Sequence, residues 1–273
     1  MSLVACLWLQ SCTKPPEARD TTTDSLQGKL VLTGSSTVAP LVSEIGKRFE
    51  SEHPKVKVDV QTGGSSRGMT DARQGSADIG MVSRNLKDNE QDLQAFTIAK
   101  DGIGIILHKD NPVQSLANQQ VVAIYTGKID NWKQVGGKNA PITVVNKAEG
   151  RSTLELFLKY FQIKNSEIKA QVVIGDNQQG IKTVAGNPNA ISYVSIGTAE
   201  YLITQGAPIQ LLPVSGVVAT TENVQNGTFP LSRPLNLVTK TKPQGLDKEF
   251  IDFASSPQVQ DIVKEQNFVP LQN

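Results

Sequence analysis

The chain is poor in the residues that most often betray chemistry. Its two cysteines, Cys6 and Cys12, both fall near the start, so no disulfide can staple the body that follows. Besides them stand only His53 and His108, which excludes a zinc site of the Cys/His kind. Neither histidine lies in a candidate loop, and both are read as solvent-facing. Aromatic residues make up 5% of 273, too few for a groove of stacked rings. An excess of one charge is missing too: 27 Lys plus Arg against 26 Asp plus Glu leaves +1, which argues against nucleic acid as a partner. No apolar run reaches the ~18 residues of a membrane span.

What is present is ordinary globular composition, 38% hydrophobic with 22 Gly and 14 Pro, at a length that suits one large domain or two modest ones. The N-terminus stands apart. Leu3 to Leu9 is a short apolar stretch, and Leu9-Gln10-Ser11-Cys12 resembles the lipobox of bacterial lipoproteins. That resemblance makes residues 1–12 a signal-peptide remnant and Cys12 the lipidated residue; the alternative is a tail with two idle thiols. Residues 13–27, polar and without hydrophobic period, suit a flexible tether.

From Lys29 the pattern turns regular. Leu30 to Leu32 form a short strand, and Val38, Leu41, Val42, Ile45 and Phe49 recur at helical spacing. Pro40 keeps that helix from starting before about Thr37, which is read as its N-cap. Val56, Val58 and Val60 alternate as a strand, a short helix ends near Gly75, and a third strand runs from Ala77 to Val82. This βαβαβ order implies a parallel sheet. The segment Lys109-Asp110-Asn111-Pro112 reads as a boundary, followed by a second α/β series: helices Gln119 to Tyr125 and Thr153 to Phe161, and strands at Ile142, Val172 and Ile191. A strand at Leu235 to Thr239 and helices Leu246 to Ala254 and Pro257 to Gln266 close the chain.

Four strand-to-helix junctions carry small hydroxyl residues, glycine or a cation: Gly34-Ser35-Ser36-Thr37, Gly63 to Gly68, Ser83-Arg84, and Lys147 to Thr153. Ligands of open α/β sheets gather at such junctions, where free helix N–H groups and the positive end of the helix dipole favour anions. Gly63 to Thr70 nearly matches a nucleotide phosphate loop, but Met69 replaces its lysine, which argues against a nucleoside triphosphate. Ser152-Thr153-Leu154-Glu155 also fits a capping box, in which Ser152 would serve the helix instead of a ligand. With no histidine near these loops and no fixed pair of carboxylates, binding is offered more readily than turnover. The residues therefore imply a small oxyanion held mainly by neutral donors, with Lys147, Arg84 or Arg151 supplying charge.

The runs TGSSTVAPL, TGGSSRGM and ADIGMVSR, with IYTGKIDNWKQVGG, AISYVSIG, TFPLSRPLNLVTK and FIDFASSPQVQDIV further on, resemble the substrate-binding proteins of phosphate (Pst-type) ABC importers over residues 29–271. The resemblance implies an α/β, two-lobed periplasmic binding protein of type II with a hinge and a discontinuous first lobe, residues 28–108 and 216–273, around a second lobe of residues 109–215. It implies phosphate held between the lobes by Ser36, Thr37, the amide of Val38, Ser65, Ser66, Ser83 and Arg84 on one side, and by Lys147, Arg151, Ser152 and Thr153 on the other. Lys147 stands where the family has a bidentate arginine, and Ser83 where many relatives have an aspartate that accepts the proton of hydrogen phosphate and repels sulfate. The expected protein is not an enzyme and uses no cofactor or metal. It is a lipid-anchored monomer on the periplasmic or extracellular face of a bacterial cytoplasmic membrane, passing phosphate to the transmembrane subunits of an ABC permease. Another oxyanion such as sulfate, molybdate or tungstate is the first alternative. A phosphatase on the same scaffold, or a sensory module, is the more distant one.

Overall fold

The computed structural model describes residues 26–271; Cys6, Cys12 and the lipobox, with nearly all of the expected tether, lie outside the described residues. The strands are β1 (Gly28–Gly34), β2 (Val56–Thr62), β3 (Ile79–Val82), β4 (Gln94–His108), β5 (Thr143–Lys147), β6 (Val172–Ile174), β7 (Ala190–Ser195), β8 (Ile209–Leu212) and β9 (Ser232–Thr239). The helices are α1 (Ala39–Glu52), α2 (Ser65–Gln74), α3 (Asn118–Tyr125), α4 (Ser152–Phe161), α5 (Asn177–Ala185), α6 (Ile196–Thr204), α7 (Thr221–Gln225), α8 (Gly245–Ala254) and α9 (Gln260–Glu265).

The strands run in the order β2-β1-β3-β9-β4-β7-β5-β6, with β8 on β4. β1 pairs in parallel with β2 and β3, as the alternating strand and helix pattern requires, because each connection must cross over through a helix. Strand β4 joins the two halves of the molecule. Its first part, to Gly102, pairs with β9; its second, from Ile103, pairs with β7 and β8. Each half has its own core. Leu32, Leu41, Ile45, Phe49, Leu237 and Phe250 anchor the first, and Ile105, Trp132, Phe157 and Tyr193 the second.

The division between the lobes differs from the expected one. Ile103, Ile105 and Leu107 pack into the second core, as do Ala219, Val224, Phe229 and Leu231. The chain therefore changes lobe within β4 near residue 102 and again just before β9, so the expected boundaries at 108/109 and 215/216 both fall inside the second lobe. A strand that feeds two sheets without a turn leaves no local mark of the crossing. The C-terminal segment adds a third tie at this level: Val269 exchanges backbone hydrogen bonds of 2.8 and 2.9 Å with Lys100 of β4, while the preceding Phe268 fills the first core.

Glycine sets how closely the elements above the sheet approach. A Cβ on Gly34 would lie 2.4 Å from the Met81 carbonyl oxygen, and one on Gly68 would lie 2.6 Å from the Thr33 carbonyl oxygen. This contact draws the start of α2 down onto the ends of β1 and β3. The hydroxyl loops are thereby brought together.

Candidate functional site

Helix α1 begins at Ala39 with Val38 at the cap position, one residue later than the sequence suggested, and Thr37 is not its cap. Ser35 serves the turn instead: its Oγ accepts the Thr37 N–H at 3.2 Å and its carbonyl accepts the N–H groups of Val38 and Ala39 at 3.2 and 3.0 Å. The Val38 amide, expected to face a ligand, is thus engaged within the turn. Thr37 Oγ1 is released to face the other lobe, where it accepts from Asn177 Nδ2 at 3.0 Å and from Arg233 Nη2 at 3.2 Å.

Arg233, at the start of β9, is the centre of this cluster. Its side chain is 1% exposed and paired with the equally buried Asp101 of β4, whose Oδ2 accepts from Nε at 3.1 Å and from Nη2 at 2.8 Å. Asp101 Oδ1 also accepts the Gly197 N–H at 3.2 Å, so both carboxylate oxygens are engaged and the guanidinium fork is held in place. The remaining donors meet hydroxyls from both lobes: Nη1 donates to Thr153 Oγ1 at 2.9 Å and lies 3.4 Å from Ser83 Oγ. Ser83 is tied in turn to lobe one, accepting from Ser35 Oγ at 2.9 Å and donating its N–H to Ser65 Oγ at 3.3 Å.

Lys147, at the end of β5, is buried opposite. Its ammonium donates to the Asp176 carbonyl at 2.9 Å and to Asn177 Oδ1 at 3.0 Å. Among the described residues no carboxylate forms a salt bridge with it. Burial lowers its pKa to about 7, the nearby Arg233 adds to that, Asp176 opposes it, and Arg151 lowers it slightly further. A buried cation held near neutrality by lack of a counter-ion is a group that an incoming anion would re-protonate and bind.

The remaining expected residues divide. Ser152 opens α4 with its Oγ buried and unpartnered, and the capping box is absent, since neither Ser152 nor Glu155 caps the helix. Ser66 meets the second lobe through its backbone, its N–H donating to the Gly150 carbonyl at 3.2 Å. Arg151 lies between Gly64 and Gly175, its Nε buried and unpartnered, and burial lowers its pKa. Ser36 sits half-buried on a groove of about 370 Å³ shared with Asn177 and Thr198, outside the Arg233 cluster. Arg84 points away: its fork is clasped by Glu90 at 2.7 and 2.8 Å, so its charge is already spent. A serine-arginine pair at a strand end does not reveal which of the two turns inward. His108 corrects a further expectation, being buried at 7% exposure with Nδ1 accepting the Asp110 N–H.

Arg233, Asp101 and Asn177 were not among the expected residues. An aspartate inside the apolar run Ile98 to Leu107 is a signal that could have exposed the pair, because a buried carboxylate needs a cation. Asn177 opens α5, a helix that was not among the expected elements.

Two lobes that meet over a buried arginine, a buried lysine and a ring of hydroxyls define an anion-capturing binding protein of the periplasmic type. Comparison with known proteins gives the same class. The family model described as PBP superfamily domain matches residues 19–258. The chain is 30% identical to the phosphate-binding protein PstS of Bacillus subtilis, over 96% of this chain and 89% of that protein. It is 29% identical to PstS of Borreliella burgdorferi, over 86% and 88%. Among solved structures, one described as a phosphate ABC transporter substrate-binding protein from Clostridium perfringens with bound phosphate superposes with a TM-score of 0.82 at 35% identity, covering 90% of this chain and all of that one. An ABC-type phosphate transport receptor from Vibrio cholerae gives 0.72 at 28% identity, covering 89% and all of it. The chain belongs to the PBP superfamily and, within it, to the PstS family of phosphate-binding proteins.

Proposed function

We propose that the chain captures inorganic phosphate between its lobes and delivers it to an ABC permease. The observation that carries this reading is the Arg233 cluster, in which one carboxylate-oriented guanidinium faces Thr37 and Ser83 of the first lobe and Thr153 of the second. In the structure these groups satisfy one another. A tetrahedral dianion offers stronger, charge-assisted acceptors to the same fork, and the hydroxyls can rotate to donate. Lys147, Ser152 and the N-terminus of α4 complete the shell from the second lobe, and Ser65 supports Ser83 from the first. Because donors come from both lobes, the full set meets the anion only when the lobes close, so binding shifts the equilibrium toward closure. A micromolar dissociation constant corresponds to about −8 kcal/mol, which a handful of charge-assisted bonds at ~1.5–3 kcal/mol each can supply.

The same reading includes no turnover, a monomer, anchoring through a lipid on Cys12, and a place on the outer face of the cytoplasmic membrane. Isothermal titration of the full chain with phosphate tests it, the expected result being one site of micromolar or tighter affinity. Absence of binding would overturn it. Sulfate is the competitor to include, because Ser83 brings no negative charge to repel a fully deprotonated anion and Asp101 is already engaged by Arg233.

A further inference from the structure

The cleft has a second bridge between the lobes, beside the anion cluster. Arg84 follows β3 in the first lobe, buried to 3% exposure. Within its own lobe it is already neutralised: both Nη atoms donate to Glu90, Nη1 also donates to the Asn85 carbonyl at 2.8 Å, and Glu90 Oε2 is held by the Lys87 N–H at 2.8 Å. One face of the guanidinium is left over. Its Nε lies 3.1 Å from Oε2 of Glu155, which belongs to the first turn of α4 in the second lobe. The same carboxylate oxygen lies 2.6 Å from Lys87 Nζ, back in the first lobe. Glu155 makes no hydrogen bond of good geometry through that oxygen, so the contact is ionic.

We infer that Glu155 is a positioning residue for capture: it latches α4, and with it Ser152 and Thr153, to the first lobe when the cleft closes. This rests on the phosphate-binding reading above. The asymmetry of the cluster makes the latch reversible. On opening, Arg84 keeps Glu90 as its counter-ion, and Glu155 and Lys87, already partly exposed, pass into water. Neither lobe is left with an uncompensated buried charge, so opening carries no prohibitive cost. Closing adds one interlobe charge cluster that is shielded enough to act on the rate of release.

The Glu155→Gln substitution tests this with a sign that simple electrostatics would reverse. Removing a carboxylate near the cleft, which releases Lys87 and leaves Arg84 with Glu90 alone, makes the site more attractive to a dianion, so a role limited to local charge predicts tighter binding and no faster release. A latch predicts that phosphate leaves faster, by about threefold to thirtyfold, while the association rate stays the same or rises. Lys87→Met gives a smaller change in the same direction, and high salt narrows the gap between wild type and Glu155→Gln. Stopped-flow release on the full chain, with the ligand-free radius of gyration measured by X-ray scattering, reads both the rate and the shift toward the open form. Unchanged or slower release from a folded Glu155→Gln variant overturns the latch. If the wild type itself fails to bind phosphate, it is the functional reading that fails instead.

Discussion

Arg84 and Arg233 are equally buried, one just past the end of β3 and the other on the neighbouring β9, yet they do different work. Arg84 has Glu90 along both arms of its fork and a second carboxylate, Glu155, at its Nε. Arg233 has one carboxylate, Asp101, which takes Nε and one arm and leaves the other arm turned toward the Ser83 and Thr153 hydroxyls. The difference teaches that burial of a cation does not mark a ligand site. What marks it is how many of the donors are given neutral partners that an anion can displace. Arg84 is a structural ion pair with an interlobe face; Arg233 is an oriented fork with capacity to spare.

The two arginines should differ most in what their loss does to stability. Arg84→Met leaves Glu90 buried without its partner and is expected to cost ~3–5 kcal/mol in a denaturant titration. The folded fraction should lose no more phosphate affinity than Glu155→Gln does. Arg233→Lys keeps the charge opposite Asp101 but forfeits the fork, and a phosphate affinity lower by about a hundredfold is expected from calorimetry, with a much smaller stability change. If the two variants exchanged these signatures, the roles would have to be exchanged as well.

Lys147 sharpens the contrast from the second lobe. Its proton affinity in the folded chain, about 7, lies below the ordinary 10.5, so between those values the unfolded chain holds a proton that the folded chain lacks. Stability should therefore rise with pH across that window, and the Lys147→Met variant should lose the rise. Phosphate restores the proton, so binding at ~pH 8 should take one up, seen as a dependence of the binding enthalpy on buffer ionisation; the variant should lose this together with at least ~tenfold in affinity. Ser36→Ala is the smallest change. Outside the Arg233 cluster, it should alter affinity by less than about twofold.

Much of the first lobe was legible in the sequence. The alternation of Val56, Val58 and Val60 and the helical spacing of Leu41, Ile45 and Phe49 reflect packing against the first core from one side, with Val58 and Val60 only partly buried, and local periodicity records this directly. The hydroxyl loops were legible for the same reason, since they fall where strands end and helices begin. Thr37, Ser83, Lys147 and Thr153, all named from the sequence, are brought together. What was not legible depends on distant partners. The passage of β4 through both sheets has no turn residue to announce it, and the Asp101–Arg233 pair joins positions 132 residues apart. Whether Ser35 or Ser36 turns inward, and whether Arg84 faces the cleft or Glu90, are decided by packing around the loop rather than by the loop's own composition.

The most direct test of the central claim is a crystal structure of the protein grown with phosphate. A single anion is expected within hydrogen-bonding distance of Arg233, Thr37, Ser83 and Thr153, with Lys147 turned toward it and Asp101 still holding the guanidinium. A cleft without phosphate, with Arg233 still satisfied by the hydroxyls while the anion sits elsewhere, would contradict it.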